Sequence, residues 1–240
     1  MSQPRFDTDR PGSAFVYDPL TQFPCSQEID ASTHDFIVAA GGYPSPLNYH
    51  GFPKAICTSL NEVQCHGIPD DRPLQQGDIL NIDVSCYVGG FHGDCSAMAV
   101  VGEVDEASQR LIEATYRCLE LGIAVCRPGT EFREIGRVVS QYAHQCGYTL
   151  AEDFCGHGIG RAFHEEPIVM HIENKDRTVM QPGMVFTIEP ILCEGQPDYR
   201  IWDDNWTVVS RDGGRASQAE HTILITEDGH DVLTKTDAAP

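Results

Sequence analysis

Basic residues are scarce in this 240-residue chain: 16 lysines and arginines stand against 36 aspartates and glutamates, a formal net charge of −20. Such a surface repels phosphate backbones and anionic lipid, which argues against nucleic-acid readout and against a membrane role, and it attracts cations. No apolar run approaches the ~20 residues that span a bilayer. The first thirty residues carry acids and Pro4, Pro11, Pro19 and Pro24 in place of a basic stretch followed by an apolar one, so neither a signal peptide nor a transit peptide is expected. Cysteine is plentiful, at ten, yet no pair is spaced C-x-x-C and several cysteines fall within apolar stretches, where a thiol behaves as a small hydrophobe. Reduced thiols in a cytoplasmic protein are expected, with no structural zinc. A phosphate loop is absent as well. The glycine-rich segment 155–167, CGHGIGRAFHEEP, fits neither G-x-x-x-x-G-K-[ST] nor G-x-G-x-x-G.

What is present is a soluble composition, 41% hydrophobic and 22% charged, of a length that one large domain accommodates. Two segments of the chain echo one another. Residues 75–83, QQGDILNID, and 181–189, QPGMVFTIE, each place a glutamine, a glycine two positions on, a strand-like run, and an acid six positions after the glycine. CHGI at 65–68 is matched by GHGI at 156–159. The two matches keep the same order, with offsets of 106 (77 to 183) and 91 (66 to 157), and Asp94 and Glu220 each open a further strand-like run. An internal duplication is expected.

Periodicity predicts a helix over 105–126 with Ala107, Leu111, Thr115, Cys118 and Gly122 inward, Asp105 as N-cap and Pro128 beyond its end. A second is predicted over 131–146, with Phe132, Ile135, Val138, Val139 and Tyr142 inward, Thr130 as cap and Gly147 as stop. A third is predicted over 28–40, with Ile29, Phe36, Ile37 and Ala40 inward. By the chain's own symmetry one helix is missing upstream. Residues 1–27 then read as an irregular N-terminal segment ahead of a single domain at 28–240. Strands are predicted at 79–88, 91–101, 184–192, 206–210 and 219–226.

Gly89-Gly90 is a two-residue hairpin signal, and a hairpin there pairs residue i with 179 − i. Asp83 then faces Ser96, which puts Asp94 diagonally across on the same face, its Cβ ~7 Å from that of Asp83 or somewhat less. Two carboxylates on an apolar sheet face repel one another and lose hydration unless a cation lies between them. The duplication brings Glu189 and Glu220 to the matching place in the other half. Taken alone, His157 reads as a turn residue, and Cys155 with His157 as a nucleophile and base lacks a third, orienting group. Beside four acids, His157 supplies an imidazole to an oxygen-rich site whose −4 charge two divalent ions would neutralise. Ions ~3.5–4 Å apart are a known arrangement for hydrolysis. Mixed oxygen and nitrogen ligands suit manganese, iron, cobalt or zinc without choosing among them.

The stretches NIDV with Asp83, FHGD with Asp94, CGHGIGRAFHEEP with His157 and His164, PGMVFTIEP with Glu189 and AEHTILIT with Glu220 resemble those of type I methionine aminopeptidases, over about residues 28–226. The resemblance implies the pita-bread fold: a pseudo-two-fold α/β (α+β) domain with a central curved, mainly antiparallel sheet and outer helices. It implies Asp83, Asp94, His157, Glu189 and Glu220 as ligands of two divalent metal ions, with Asp94 and Glu220 bridging. It further implies a bridging hydroxide that attacks the first peptide bond, Glu189 shuttling the proton, His164 donating to the scissile carbonyl oxygen and His66 contacting the substrate backbone. Tyr49, Phe52, Cys57, Phe163 and Trp206, with His66 and His164, would bind the substrate, the apolar ones enclosing the methionine side chain. Gly156 and Gly158 are expected to turn the backbone tightly around His157.

The implied partner is the N-terminal methionine of nascent polypeptides, met at the ribosome, and the implied state is a monomer. The chain departs from the family in the missing first helix, in lacking a zinc-binding N-terminal extension, and in Pro46, where bacterial members often carry cysteine. His34, His50, His144, His171, His221 and His230 read as surface or packing residues, although His171 lies close enough in sequence to line the cleft. The competing functions are an Xaa-Pro aminopeptidase or dipeptidase, for whose separate N-terminal domain the chain has no room, and a non-catalytic pita-bread binding protein.

Overall fold

The computed structural model of the chain describes residues 15–17 and 24–235. In the first half run β1 (Phe15–Tyr17), α1 (Ser26–Ala39), β2 (Tyr43–Pro44), β3 (Cys57–Leu60), β4 (Val63–Cys65), β5 (Ile79–Val88) and β6 (Phe91–Val101). The second half holds α2 (Glu106–Ala124), α3 (Arg133–Gln145), β7 (Thr149–Leu150), β8 (Cys155–Gly158), β9 (Glu165–Met170), β10 (Val185–Ile188) and β11 (Ile191–Cys193). It closes with β12 (Tyr199–Ile201), β13 (Val208–Ser210), β14 (Ala216–Gln218), β15 (His221–Ile225) and β16 (His230–Val232). Among the described residues no helix is long and apolar enough to cross a membrane.

The β5–β6 hairpin has the predicted register, Val88 opposite Phe91 and Asp83 opposite Ser96, because Gly89 and Gly90 take positive φ of 61° and 96°. One sheet is built on it in the order β1-β6-β5-β2, with β3 also on β5. A second sheet runs β16-β15-β10-β8-β9. The duplication is visible in the backbone. Gly77, at φ 93°, donates its N–H to Val101 while Val101 donates to Asp78; Gly183, at φ 88°, donates to Ile225 while Ile225 donates to Met184. Each glycine thus turns the chain into a strand that carries an acid, β5 with Asp83 and β10 leading to Glu189. A pair of backbone hydrogen bonds between Ser96 and Glu220 joins the two halves, and Thr222 Oγ1 donates to the Asp94 carbonyl at 2.7 Å.

Helices α2 and α3 cover the outer face of the second half, where Leu111, Cys118, Ile135 and Val139 pack on Phe186 and Ile188 in the main core. Asp105 caps α2 as predicted, accepting from Ser108 N at 2.7 Å. Thr130 does not cap α3. The N-cap is Phe132, which reaches it through a turn in which its own N–H bonds to Thr178. Nor does α1 bury Phe36, which is 75% exposed, or Ala40. Its inner face is Ser26, Ile29, Asp30 and Ile37. The buried Asp30 carboxylate accepts from the backbone N–H groups of Ala55 and Ile56, which fixes the rotation of the helix and turns Phe36 outward.

The predicted strand at 184–192 is two strands, parted at Glu189-Pro190, where proline cannot donate to a ladder. The predicted strand at 206–210 starts only at Val208, because Asp204 Oδ1 accepts from the N–H groups of Trp206 and Thr207. Glu220 sits between β14 and β15 rather than inside one strand over 219–226. Residues 1–14 and 18–23 of the segment read as irregular lie outside the described residues, as does any helix there. Residues 15–17 lie parallel to Ala99–Val101 of β6.

Phe186 is fully buried and meets Phe132 edge-on at 4.9 Å. Phe186→Ala is therefore expected to cost about 3–5 kcal/mol, and Phe36→Ser less than about 0.5 kcal/mol. Urea denaturation midpoints measure both; a comparable loss in Phe36→Ser would contradict this account of α1.

Candidate metal centre and cleft

At the junction of the two sheets a cleft of about 340 Å³ opens, and every residue expected to act lines it. Asp83, Asp94, His157, Glu189 and Glu220 lie on its floor, with Tyr49, Phe52, Cys57, His66, Phe163, His164 and Trp206 around them. Asp94, His157 and Glu220 are all buried and bring one ligand atom each within 4.8 Å of the others. His157 Nε2 lies 3.6 Å from Glu189 Oε1 and 3.8 Å from Asp94 Oδ2, too far for a hydrogen bond and right for sharing a cation. Burial and then the neighbouring Asp94 and Glu189 charges favour the protonated form of Asp83.

The strands explain this convergence. Alternation along β5 and β6 points Asp83 and Asp94 to one face, and the Ser96–Glu220 bridge delivers Glu220 beside them. His157 arrives on β8, which is extended. Gly156 and Gly158 are therefore not the tight turn expected around His157, since neither has a positive φ. They are glycines because other backbone lies against them: a Cβ on Gly156 would stand 2.3 Å from the Thr187 carbonyl oxygen, and one on Gly158 2.1 Å from that of Glu166.

Each ligand is held by a polar neighbour. His157 Nδ1 lies 3.1 Å from the Gly158 carbonyl, which takes that N–H and leaves the Nε2 lone pair facing the acids. Thr187 Oγ1 accepts from His157 N and donates to Glu189 Oε1 at 2.7 Å, and Gln218 Nε2 donates to Glu189 Oε2. Ser85 Oγ donates to Asp94 Oδ1 at 2.7 Å. Behind the site the fully enclosed His171 accepts the Glu189 N–H on Nε2 at 3.0 Å, so it packs against the back of the site and does not line the cleft. The sequence reading passed over Ser85, Thr187 and Gln218. Each lies two residues from a predicted ligand along a strand, a polar residue on the face that carries an acid, and that spacing is the signal that could have found them. His171 left no such signal.

Burial pushes all four carboxyls above the ordinary carboxylate range, and mutual repulsion adds to it for three of them. Asp94 is raised to about 6 and Glu189 to about 8, in the latter case with the Asp94 charge as the second cause. Asp83 and Glu220 are raised well above their usual values by burial and then by the neighbouring acids. Asp83 and Glu189 keep part of their surface open to the cleft, so their neighbours' charges matter to them beside the loss of water. One oxygen of Glu220, Oε1, is buried with no hydrogen-bond partner. An orphaned carboxylate oxygen, a lone pair on His157 and four crowded acids are the donor set that divalent cations fit.

His164 is exposed on the cleft, and it stands beside Tyr49, His157 and Phe163. Burial and the neighbouring imidazoles of His157, His66, His50 and His92 lower it to about 3, so it is neutral at physiological pH. Its Nδ1 meets Tyr49 Oη at 2.9 Å. With that hydroxyl as donor, Nε2–H is the free end of the ring. His66, also neutral through burial, stands edge-on to Phe154 and Trp206.

A carboxyl whose pKa rises on folding binds more protons in the folded chain than in the unfolded one, so its contribution turns against the fold as pH climbs. With metal removed, the melting temperature should fall between pH ~4, where unfolded carboxyls ionise, and about 8, the value of Glu189. Adding manganese at pH 8 should restore it. A melting temperature that rises over that range without metal would contradict the clustering.

The description of metallopeptidase family M24 matches residues 21–227. Methionine aminopeptidase 1B, chloroplastic, of Arabidopsis thaliana is 53% identical over 210 residues, which is 88% of this chain and 57% of that relative. Methionine aminopeptidase 1D, mitochondrial, of Homo sapiens is 51% identical over 210 residues, 88% of this chain and 63% of the relative. The chain thus spans somewhat over half the length of these curated relatives. The crystal structure of methionine aminopeptidase from Rickettsia prowazekii superposes with a TM-score of 0.86 at 42% identity, covering 88% of this chain and 87% of that one. The α+β architecture is the pita-bread fold of these proteins. The chain belongs to metallopeptidase family M24 and, within it, to the type I methionine aminopeptidases.

Proposed function

We propose that this protein hydrolyses the first peptide bond of chains that begin with methionine, releasing that residue. The observation that carries the reading is the joining of Asp83, Asp94, His157, Glu189 and Glu220 on the floor of a cleft whose walls are aromatic and sulfur-bearing. These five residues would hold two divalent ions, of cobalt, manganese, iron or zinc. When bound, the ions supply Lewis acidity and lower the pKa of water toward ~7, the dinuclear hydroxide chemistry expected from the sequence.

The protein's own groups do the rest. Glu189 is the proton carrier. Thr187 and Gln218 fix its two oxygens and its backbone is tied to His171, so it can take a proton from the attacking water and pass it to the leaving amine without reorienting. His164, neutral and oriented by Tyr49, presents Nε2–H to the carbonyl oxygen, where a fixed donor gains strength as negative charge develops. His66 stands on the cleft wall to meet the substrate backbone. Phe163, Phe52, Trp206, Tyr49 and Cys57 surround the methionine side chain, whose thioether is favoured beside aromatic rings. Phe52 and Trp206 meet edge-on at 5.2 Å, and Tyr49 and Phe163 at 4.9 Å. The proposed substrate is the N-terminal methionine of new polypeptides, and work in the cytoplasm beside the ribosome is part of the same proposal.

Purified protein should release methionine from Met-Ala-Ser, lose that activity to a chelator, and barely cleave Xaa-Pro peptides. Glu189→Gln should lower kcat by roughly 10²–10⁴-fold with KM little changed. Activity that survives complete metal removal, or equal effects of Glu189→Gln on kcat and KM, would overturn the reading.

A further inference from the structure

Phe163 forms one wall of the cleft and is 9% exposed. The ring of His92, from the start of β6, lies flat against it, with centroids 5.3 Å apart and planes 10° from parallel. On the far side of His92 is a separate, open groove of about 980 Å³, edged by Phe91, Gly160, Arg161 and Glu165. His92 lines the groove and Phe163 lines the cleft, so the stacked pair of rings spans from one space to the other.

The stack is fixed from the His92 side. His92 Nδ1 and Ser45 Oγ lie 2.8 Å apart, with Ser45 buried on the loop that carries the cleft residue Pro46. The His92 N–H donates to the carbonyl of Gly160 at 2.8 Å, which ties β6 to the segment leading into Phe163. Tyr87 closes over the other part of the ring at 4.7 Å. With His92 held by Ser45 and by its backbone bond to Gly160, Phe163 cannot tilt toward the groove without displacing a ring that is itself tied down.

We propose that His92 is a positioning residue for side-chain selection: by backing Phe163 it keeps the cleft too narrow for branched or bulky first residues. The inference rests on Phe163 bounding the methionine side chain, as set out above. Without the backing ring, Phe163 has the groove to lean into and the pocket widens. The discrimination that a hydrophobic pocket wall commands is about 10–200-fold, so much of that range is at stake.

The experiment measures kcat/KM for Met-Ala-Ser, Leu-Ala-Ser and Phe-Ala-Ser in wild type, His92→Ala, His92→Phe and Phe163→Ala, each loaded with manganese. Asp94 is two residues along the strand, so overall rate is a poor readout, whereas the ratio between substrates is untouched by a uniform loss of activity. His92→Ala should lower the preference for methionine over leucine and phenylalanine by roughly tenfold or more. His92→Phe, which keeps a flat ring without the Ser45 contact, should retain it. If His92→Ala folds poorly, His92→Asn carries the same expectation, since it keeps a polar group near Ser45 but no ring. Unchanged ratios in the ring-less variant overturn the inference. If Phe163→Ala alters them all the same, the pocket reading stands and only the role of His92 falls; if it does not, both fall.

Discussion

Repulsion between buried carboxylates is the constraint on which the structure turns. Asp83, Asp94, Glu189 and Glu220 come from both halves of a duplicated chain and meet where Ser96 and Glu220 join the sheets. Among the described residues no lysine or arginine lines the cleft, and burial favours the neutral form of His157 beside the acids, with its lone pair inward. Left alone, the cluster favours the protonated forms of Asp94 and Glu189, which burial raises to about 6 and about 8. Given divalent ions, it would exchange those protons for metal under the proposed reading. In the proposed reading the fold keeps at its centre a charge that bound cations would complete, and its polar neighbours hold the oxygens apart and aimed.

Around that floor the walls divide the labour. In the proposed reaction the imidazoles of His66 and His164 would meet the substrate backbone, and the rings and buried thiol that share their cleft would meet its side chain. Burial sets both, since it strips the proton from the histidines and raises the Cys57 thiol well above its usual range, so that Cys57 stays a soft apolar contact rather than a nucleophile. Ser45, His92 and Gly160 brace the Phe163 wall from outside.

Much of this was legible in the sequence because the relevant rules are local. Period-two alternation and Gly89-Gly90 fix the hairpin register and hence the facing of Asp83 and Asp94, and the repeated Gln-x-Gly marks both strand entries. What escaped depended on partners distant in sequence. The rotation of α1 is set by Asp30 gripping the backbone of residues 55 and 56, so helical periodicity alone turned Phe36 the wrong way. The entry to α3 is set by the Thr178 carbonyl, and Thr130 only looked like a cap. Gly156 and Gly158 read as turn formers, but they are bare because the Thr187 and Glu166 carbonyls lie against them. His171 could not be placed behind Glu189 without the fold. The residues carrying the proposed chemistry were found because acids in apolar strands are conspicuous, whereas their polar supports are ordinary residues in ordinary places.

The claim that this acidic junction is a two-cation site is tested most directly by calorimetric titration of chelator-stripped protein with manganese at pH 7, in two buffers of different ionisation enthalpy. The account predicts two ions per chain and a net release of protons as the raised carboxyls give way to metal. Binding without proton release, or no binding that Asp94→Asn and Glu220→Gln abolish, would contradict it.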